Sequence, residues 1–138
     1  MPILRYLRMR LELRQVAKAQ RDLDAKGIPE SPYELDNYTR TNDSIYEWRQ
    51  LVLTRYWESK AASLSVPLPD WTDRTYRGWV DFDNDERQPC YLTPAGIAKL
   101  RADIREEQKH LREVAAFWLS AFIGLIGALT GLAAVVLK

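Results

Sequence analysis

Apolar and polar residues are distributed very unevenly along the chain. Residues 114–137, VAAFWLSAFIGLIGALTGLAAVVL, carry no charge, so every charged side chain except Lys138 falls within residues 1–113. In that first part the apolar residues recur at helical or strand spacing. Leu4, Leu7 and Leu11 share one stripe of a helix expected over about 3–26, with Gly27 as its stop and Pro29 beyond. Residues 28–43 read as a polar connection with one short turn of helix around Tyr33–Tyr38. Ser44-Ile45-Tyr46-Glu47 has the form of a capping box, which predicts a second helix over about 44–63 with Ile45, Trp48, Val52 and Tyr56 as its apolar stripe. Pro67 and Pro69 break the chain, and Trp71 and Tyr76 are expected as packing anchors of the irregular run that follows. The alternation at Trp79-Val80-Asp81-Phe82 and the run Cys90-Tyr91-Leu92 predict a hairpin over about 79–92. Thr93 then caps a helix whose first residue is Pro94. No breaker follows, so the helix of 94–113 is expected to continue into the uncharged segment.

The uncharged segment sets the class. As a helix, residues 114–137 extend roughly 36 Å, against a hydrocarbon core of about 30 Å. The competing reading is a buried central helix, but so short a chain has little apolar surface left to wrap one. Lys99, Arg101, Arg105, Lys109 and Arg112 precede the span and only Lys138 follows, so the positive-inside rule places the N-terminal part in the cytoplasm. Phe117 and Trp118 sit where an interfacial aromatic anchor is expected. The start of the chain lacks the uninterrupted apolar core of a signal peptide. The expected layout is a tail-anchored, single-pass membrane protein: a cytoplasmic domain at 1–113 and a transmembrane helix at 114–137. An excess of arginine over lysine fits a GC-rich bacterial source, hence a bacterial inner membrane.

Inside the span, Ser120, Gly124, Gly127, Gly131 and Ala134 are spaced four, three, four and three. Gly127 and Gly131 form a GxxxG pair, and Ala116, Ser120, Gly124 and Ala128 make a second ridge. Glycine weakens helices, and in lipid its usual reason is close approach of two backbones. Ser120, Gly124, Gly127, Ala128, Gly131 and Ala134 are therefore the expected interface of a homo-oligomer.

Composition and charge narrow the chemistry. Twenty basic and 19 acidic residues give a net charge near +1, which argues against a protein that coats nucleic acid. One cysteine, Cys90, forbids an internal disulfide, and one histidine, His110, forbids a His-rich metal site. Asp81, Asp83 and Asp85 start like a calcium loop, but Glu86 and Leu92 stand where glycine and glutamate are required. Catalytic groupings and phosphate loops are missing, so neither an enzyme nor a cofactor is expected. Arg5, Arg8, Arg10, Arg14, Lys18 and Arg21 make the first helix basic and are the candidates for contact with a membrane surface or another anion.

The stretch WVDFDNDERQPCYLTPAGIAKL, residues 79–100, resembles the wing and following helix of MarR- and PadR-type winged-helix regulators, in which a hairpin returns through an aromatic residue into Leu-Thr-x-x-Gly. Tyr91, Leu92, Thr93 and Gly96 occupy those places. The resemblance implies an α+β, mostly helical, winged-helix-like domain with one hairpin. The acidic hairpin tip and the missing helix-turn-helix at the usual distance turn the expectation away from nucleic acid. The partners expected are membrane lipids, a second copy of the chain, and a protein met by the cytoplasmic domain in interaction or sensing, as in a membrane scaffold, a regulator or a membrane-perturbing phage-defence effector. A membrane-tethered DNA-binding regulator is the alternative, and an enzyme the third reading.

Overall fold

A computed structural model describes residues 2–81 and 90–136; the side chains of residues 2, 131 and 133–136 lie outside that description. Among the described residues the chain is mostly helical: α1 (Pro2–Asp24), α2 (Pro32–Ala62), the strands β1 (Arg77–Trp79) and β2 (Cys90–Leu92), and α3 (Pro94–Val136). The expected hairpin tip, with Asp83, Asp85 and Glu86, lies outside the described residues.

Local chemistry sets each boundary. Gly27, at φ +73°, takes the left-handed conformation that ends α1. Ser31 precedes Pro32, which opens α2 with a missing N–H that no helix would have used. Ser65 ends α2 in the left-handed region, φ 57°, and lets the Val66 N–H reach back to the Ala61 carbonyl at 3.0 Å. The second helix thus starts at Pro32, and the capping box expected at Ser44 is not formed. Glu47 is buried in mid-helix and accepts the Asp81 N–H at 2.9 Å instead. In the polar stretch before it, Thr39 and Thr41 donate to carbonyls one turn back, and Asn42 accepts from Gln20 of α1, which ties this part of α2 to its neighbour.

The helices have a readable order in space. Arg5 reaches Ser59, Arg55 pairs with Glu12 at 2.8 Å, and Gln20 meets Asn42, so α1 and α2 run antiparallel. Thr54 accepts the Leu92 N–H at 2.8 Å just ahead of α3, while the turn after α2 at Ser65–Pro67 lies beside Asp103–His110. α2 and α3 therefore run the same way. The start of α1, the end of α2 and the middle of α3 converge at the end of the domain from which α3 departs.

Two apolar clusters hold this arrangement. Val16, Leu23 and Ile45, with Ala19, Tyr38 and Trp48 around them, join α1 to the first half of α2. Ala61, Val66, Leu92, Ile97, Leu100 and Ile104 join the second half of α2 to the hairpin and α3. Leu4, Leu7 and Leu11, the regular stripe of α1, are not in either cluster and remain 61, 50 and 58% exposed. Trp71 is exposed as well, lying 4.4 Å from the guanidinium of the buried Arg77, which pairs with Glu58 at 3.1 Å.

The joint between hairpin and α3 is tight. β1 and β2 pair antiparallel with Gly78 opposite Tyr91. Thr93 donates its hydroxyl to the Thr75 carbonyl at 2.7 Å and accepts the Gly96 N–H at 3.1 Å, which caps α3. A Cβ on Gly96 would stand 2.2 Å from the Tyr76 carbonyl oxygen, so only glycine lets the first turn of α3 lie on the end of β1. The residues that carried the winged-helix resemblance thus cap and pack this joint.

Candidate functional site

α3 has two parts with opposite surroundings. Its first turns bury Ile97, Leu100 and Ile104, and Lys99 is anchored to Asp103 at 3.0 Å, a hydrogen bond that raises the lysine pKa. From Leu111 onward the helix leaves the domain. Every described side chain from residue 111 to 132 is exposed, including Phe117, Trp118 and the bulky Leu119, Phe122, Ile123, Ile126 and Leu129. This helix is long and apolar enough to cross a membrane, and none of its most apolar stretch is buried against the rest of the chain. Apolar surface of this extent on a soluble domain would far exceed the few hundred Å² that monomers ordinarily expose.

The helix stays continuous through the small residues. Thr130 returns its hydroxyl to the Ile126 and Gly127 carbonyls, both at 2.9 Å, which satisfies that group within the helix. Ser120, Gly124, Gly127 and Ala128 all lie in the exposed part, and a Cβ on Gly124 or Gly127 would meet nothing within 4 Å. Gly131 and Ala134 continue the same helical spacing; their side chains lie outside the description.

The six basic residues of α1 do not share one surrounding. Arg5 bonds Ser59, and Arg8 pairs with Glu12 at 3.0 Å, so both lean toward α2. Arg10 lies over the Tyr6 ring at 5.8 Å. Arg14, Lys18 and Arg21 are exposed and continue the line of Leu4, Leu7 and Leu11. Leu4, Leu7, Leu11, Arg14, Lys18 and Arg21 are spaced three, four, three, four and three, which keeps them on one side of the helix. That outward side is apolar at the start of α1 and basic further along.

A cleft of about 410 Å³ opens where the three helices converge, lined by Ile3, Arg5 and Tyr6 of α1, Lys60 and Leu64 at the end of α2, and Gln108 of α3. On the other side of α3, a shallower hollow is lined by Asp103, Glu106, Glu107 and His110. Among the described residues no three His, Cys, Asp or Glu side chains are grouped to hold a metal ion. Cys90 is free and buried. Sequence reasoning singled out Arg5 but missed Lys60, Leu64 and Gln108, which only the chain fold brings beside it.

No protein-family model matches the chain, and no curated protein or solved structure is significantly similar to it. Function therefore has to be argued from the geometry.

Proposed function

We propose that the protein is held in a membrane by α3, with residues 1–113 on the cytoplasmic side, and that copies associate through Ser120, Gly124, Gly127, Ala128, Gly131 and Ala134. One observation carries this reading: the apolar part of α3 leaves its own domain without burying a side chain. Hydrocarbon is the environment that removes that surface from water. The basic residues Lys99, Arg101, Arg105, Lys109 and Arg112 support the orientation. The small residues support the association, since a backbone free of Cβ atoms lets two helices approach closely. The cytoplasmic domain then meets a protein partner or senses a signal, and association in the membrane couples copies of it. The likeness of residues 79–100 to a winged helix reflects, in this reading, a hairpin-to-helix joint rather than a nucleic-acid surface.

The test is crosslinking of the full chain in membranes, wild type against Gly124→Leu, Gly127→Leu and Gly131→Leu. A leucine at 124 or 127 meets nothing in the chain and raises helix propensity by about 1 kcal/mol, so the monomer keeps its fold. The expected result is full sedimentation with membranes and loss of the crosslinked species. Unchanged crosslinking would remove the seam, and a chain left in the aqueous fraction would remove the anchor.

A further inference from the structure

We propose that the cleft between Ile3, Arg5, Tyr6, Lys60, Leu64 and Gln108 is a binding site for one anionic phospholipid of the leaflet that α3 enters. This rests on the membrane reading of α3, and it adds a ligand that reading does not supply.

The chemistry of the lining comes first. Arg5 and Lys60 bring two positive charges to one cleft whose lining holds no carboxylate. Arg5 donates to the neutral Ser59 hydroxyl, and Lys60 lies over the Trp57 ring at 5.2 Å. Among the described residues neither pairs with an acid, whereas Arg8, Arg55, Arg77 and Lys99 all do. Two cations with unused charge suit a phosphate diester. Ile3, Tyr6 and Leu64 offer apolar surface beside them, which suits the carbon atoms of a glycerol headgroup. A free phosphate would leave that apolar wall in water.

Position is the second argument. Gln108 precedes Val114, the first residue of the uncharged segment, by six residues, or about 9 Å of helix. The headgroup layer is about 6 Å deep on each side of the hydrocarbon. The cleft therefore sits just above the headgroups, within reach of the long Arg5 and Lys60 side chains. Leu4 and Leu7, two exposed apolar residues of the outward side of α1, flank it at the same end. Arg14 lies nine residues along α1 from Arg5, about 13 Å further off, beyond a Debye length of about 8 Å. Of the basic residues on α1, the ones nearest its start are those that meet lipid. The acidic hollow across α3, with Asp103, Glu106 and Glu107, repels an anionic headgroup and leaves the cleft as the side that accepts one.

The test reconstitutes the full chain in vesicles of phosphatidylcholine and phosphatidylglycerol in equal amounts, extracts it gently, and measures by mass spectrometry which lipid stays bound. Phosphatidylglycerol is expected in excess over its share of the bilayer. Arg5→Gln and Lys60→Gln each lower that excess roughly five-fold. Arg5→Lys, which keeps the charge, restores most of it. Arg14→Gln with Lys18→Gln, which removes twice as much charge further along α1, leaves it unchanged. Five results overturn the site. Equal retention of both lipids by the membrane-inserted wild type leaves the anchor standing and removes the cleft. An equal loss in the Arg14/Lys18 variant shows diffuse attraction. Displacement of the lipid by inorganic phosphate shows an ion site, and a disulfide between copies through Ile3→Cys shows that a second chain fills the cleft. A chain that never enters the vesicles removes the anchor along with the site.

Discussion

Thr54 ties α2 to the second strand of the hairpin through its hydroxyl. Its side chain is 1% exposed; the hydroxyl donates to the Gln50 carbonyl at 2.8 Å and accepts the Leu92 N–H at 2.8 Å. Thr54→Val keeps the shape and removes both bonds. The Gln50 carbonyl loses little, because it retains its helical N–H from residue 54. The Leu92 N–H loses its acceptor inside a core where Leu92 itself is fully buried. An orphaned buried donor costs about 1–3 kcal/mol. At about 4–8 °C per kcal/mol for a domain of this size, the melting temperature falls by roughly 4–24 °C. Thr54→Ser is the control: it keeps the oxygen and loses one methyl group, worth about 1 kcal/mol. The order expected in thermal melts of the full chain in detergent, followed by tryptophan fluorescence, is wild type, then Thr54→Ser, then Thr54→Val. Amide exchange gives a second readout, since the Leu92 N–H should lose protection in the valine variant alone. If Thr54→Val melts at or above Thr54→Ser, the hydroxyl does not hold β2 and the assignment is wrong.

Gly96→Ala should destabilise by about 2 kcal/mol or more despite alanine's better helix propensity, because the new methyl group lands on the Tyr76 carbonyl oxygen; urea titration showing a neutral or stabilised variant would mean that α3 sits further from β1. Tyr91 has its phenol pKa raised, first by burial and then by Tyr46, Glu47 and Asp81. A raised folded value means that stability is intact below about pH 10 and is lost as pH climbs from there through the folded pKa. Denaturant midpoints should therefore fall more steeply above pH 10 in wild type than in Tyr91→Phe, and parallel curves would refute the burial of that hydroxyl.

Parts of this architecture were readable in the sequence because the deciding interactions are local. Thr93 and Pro94 start α3 through a cap that involves only its first turn, and Gly27 stops α1 by its own backbone freedom. The long uncharged segment reads as one helix because nothing in it breaks a helix. Reading failed where contacts distant in sequence overrode a local signal. Ser44 and Glu47 have the spacing of a capping box, yet Glu47 bonds the Asp81 N–H, a partner 34 residues away. Leu4, Leu7 and Leu11 announce a helix correctly but point away from the core; the buried side is set by Val16 and Leu23, two residues whose spacing is too sparse to stand out. The cleft was illegible for a related reason. Arg5, Lys60 and Gln108 are neighbours only because α1 runs against α2 and α2 runs with α3.

The continuity of α3 ties these surfaces together. Leu100 marks the side of the helix that its own domain covers. Gly127 lies 27 residues further on, about seven and a half turns at 3.6 residues per turn, and so falls on the opposite side. Ser120 and Gly124 lie close to the same line. In the proposed assembly, copies that meet through the glycines would carry residues 1–113 on the far sides of the paired helices, where they do not collide. Gln108 lies 19 residues before Gly127, about five and a quarter turns, which turns the cleft away from the pairing line and leaves it open to lipid. One continuous helix thus gives the proposed association seam, the domain and the proposed lipid cleft three separate directions. A single residue inserted near His110 would rotate the seam by about 100° against the domain without changing either surface. If domain collisions limit association, that insertion weakens the crosslinked species, while four inserted residues, close to a full turn, restore it.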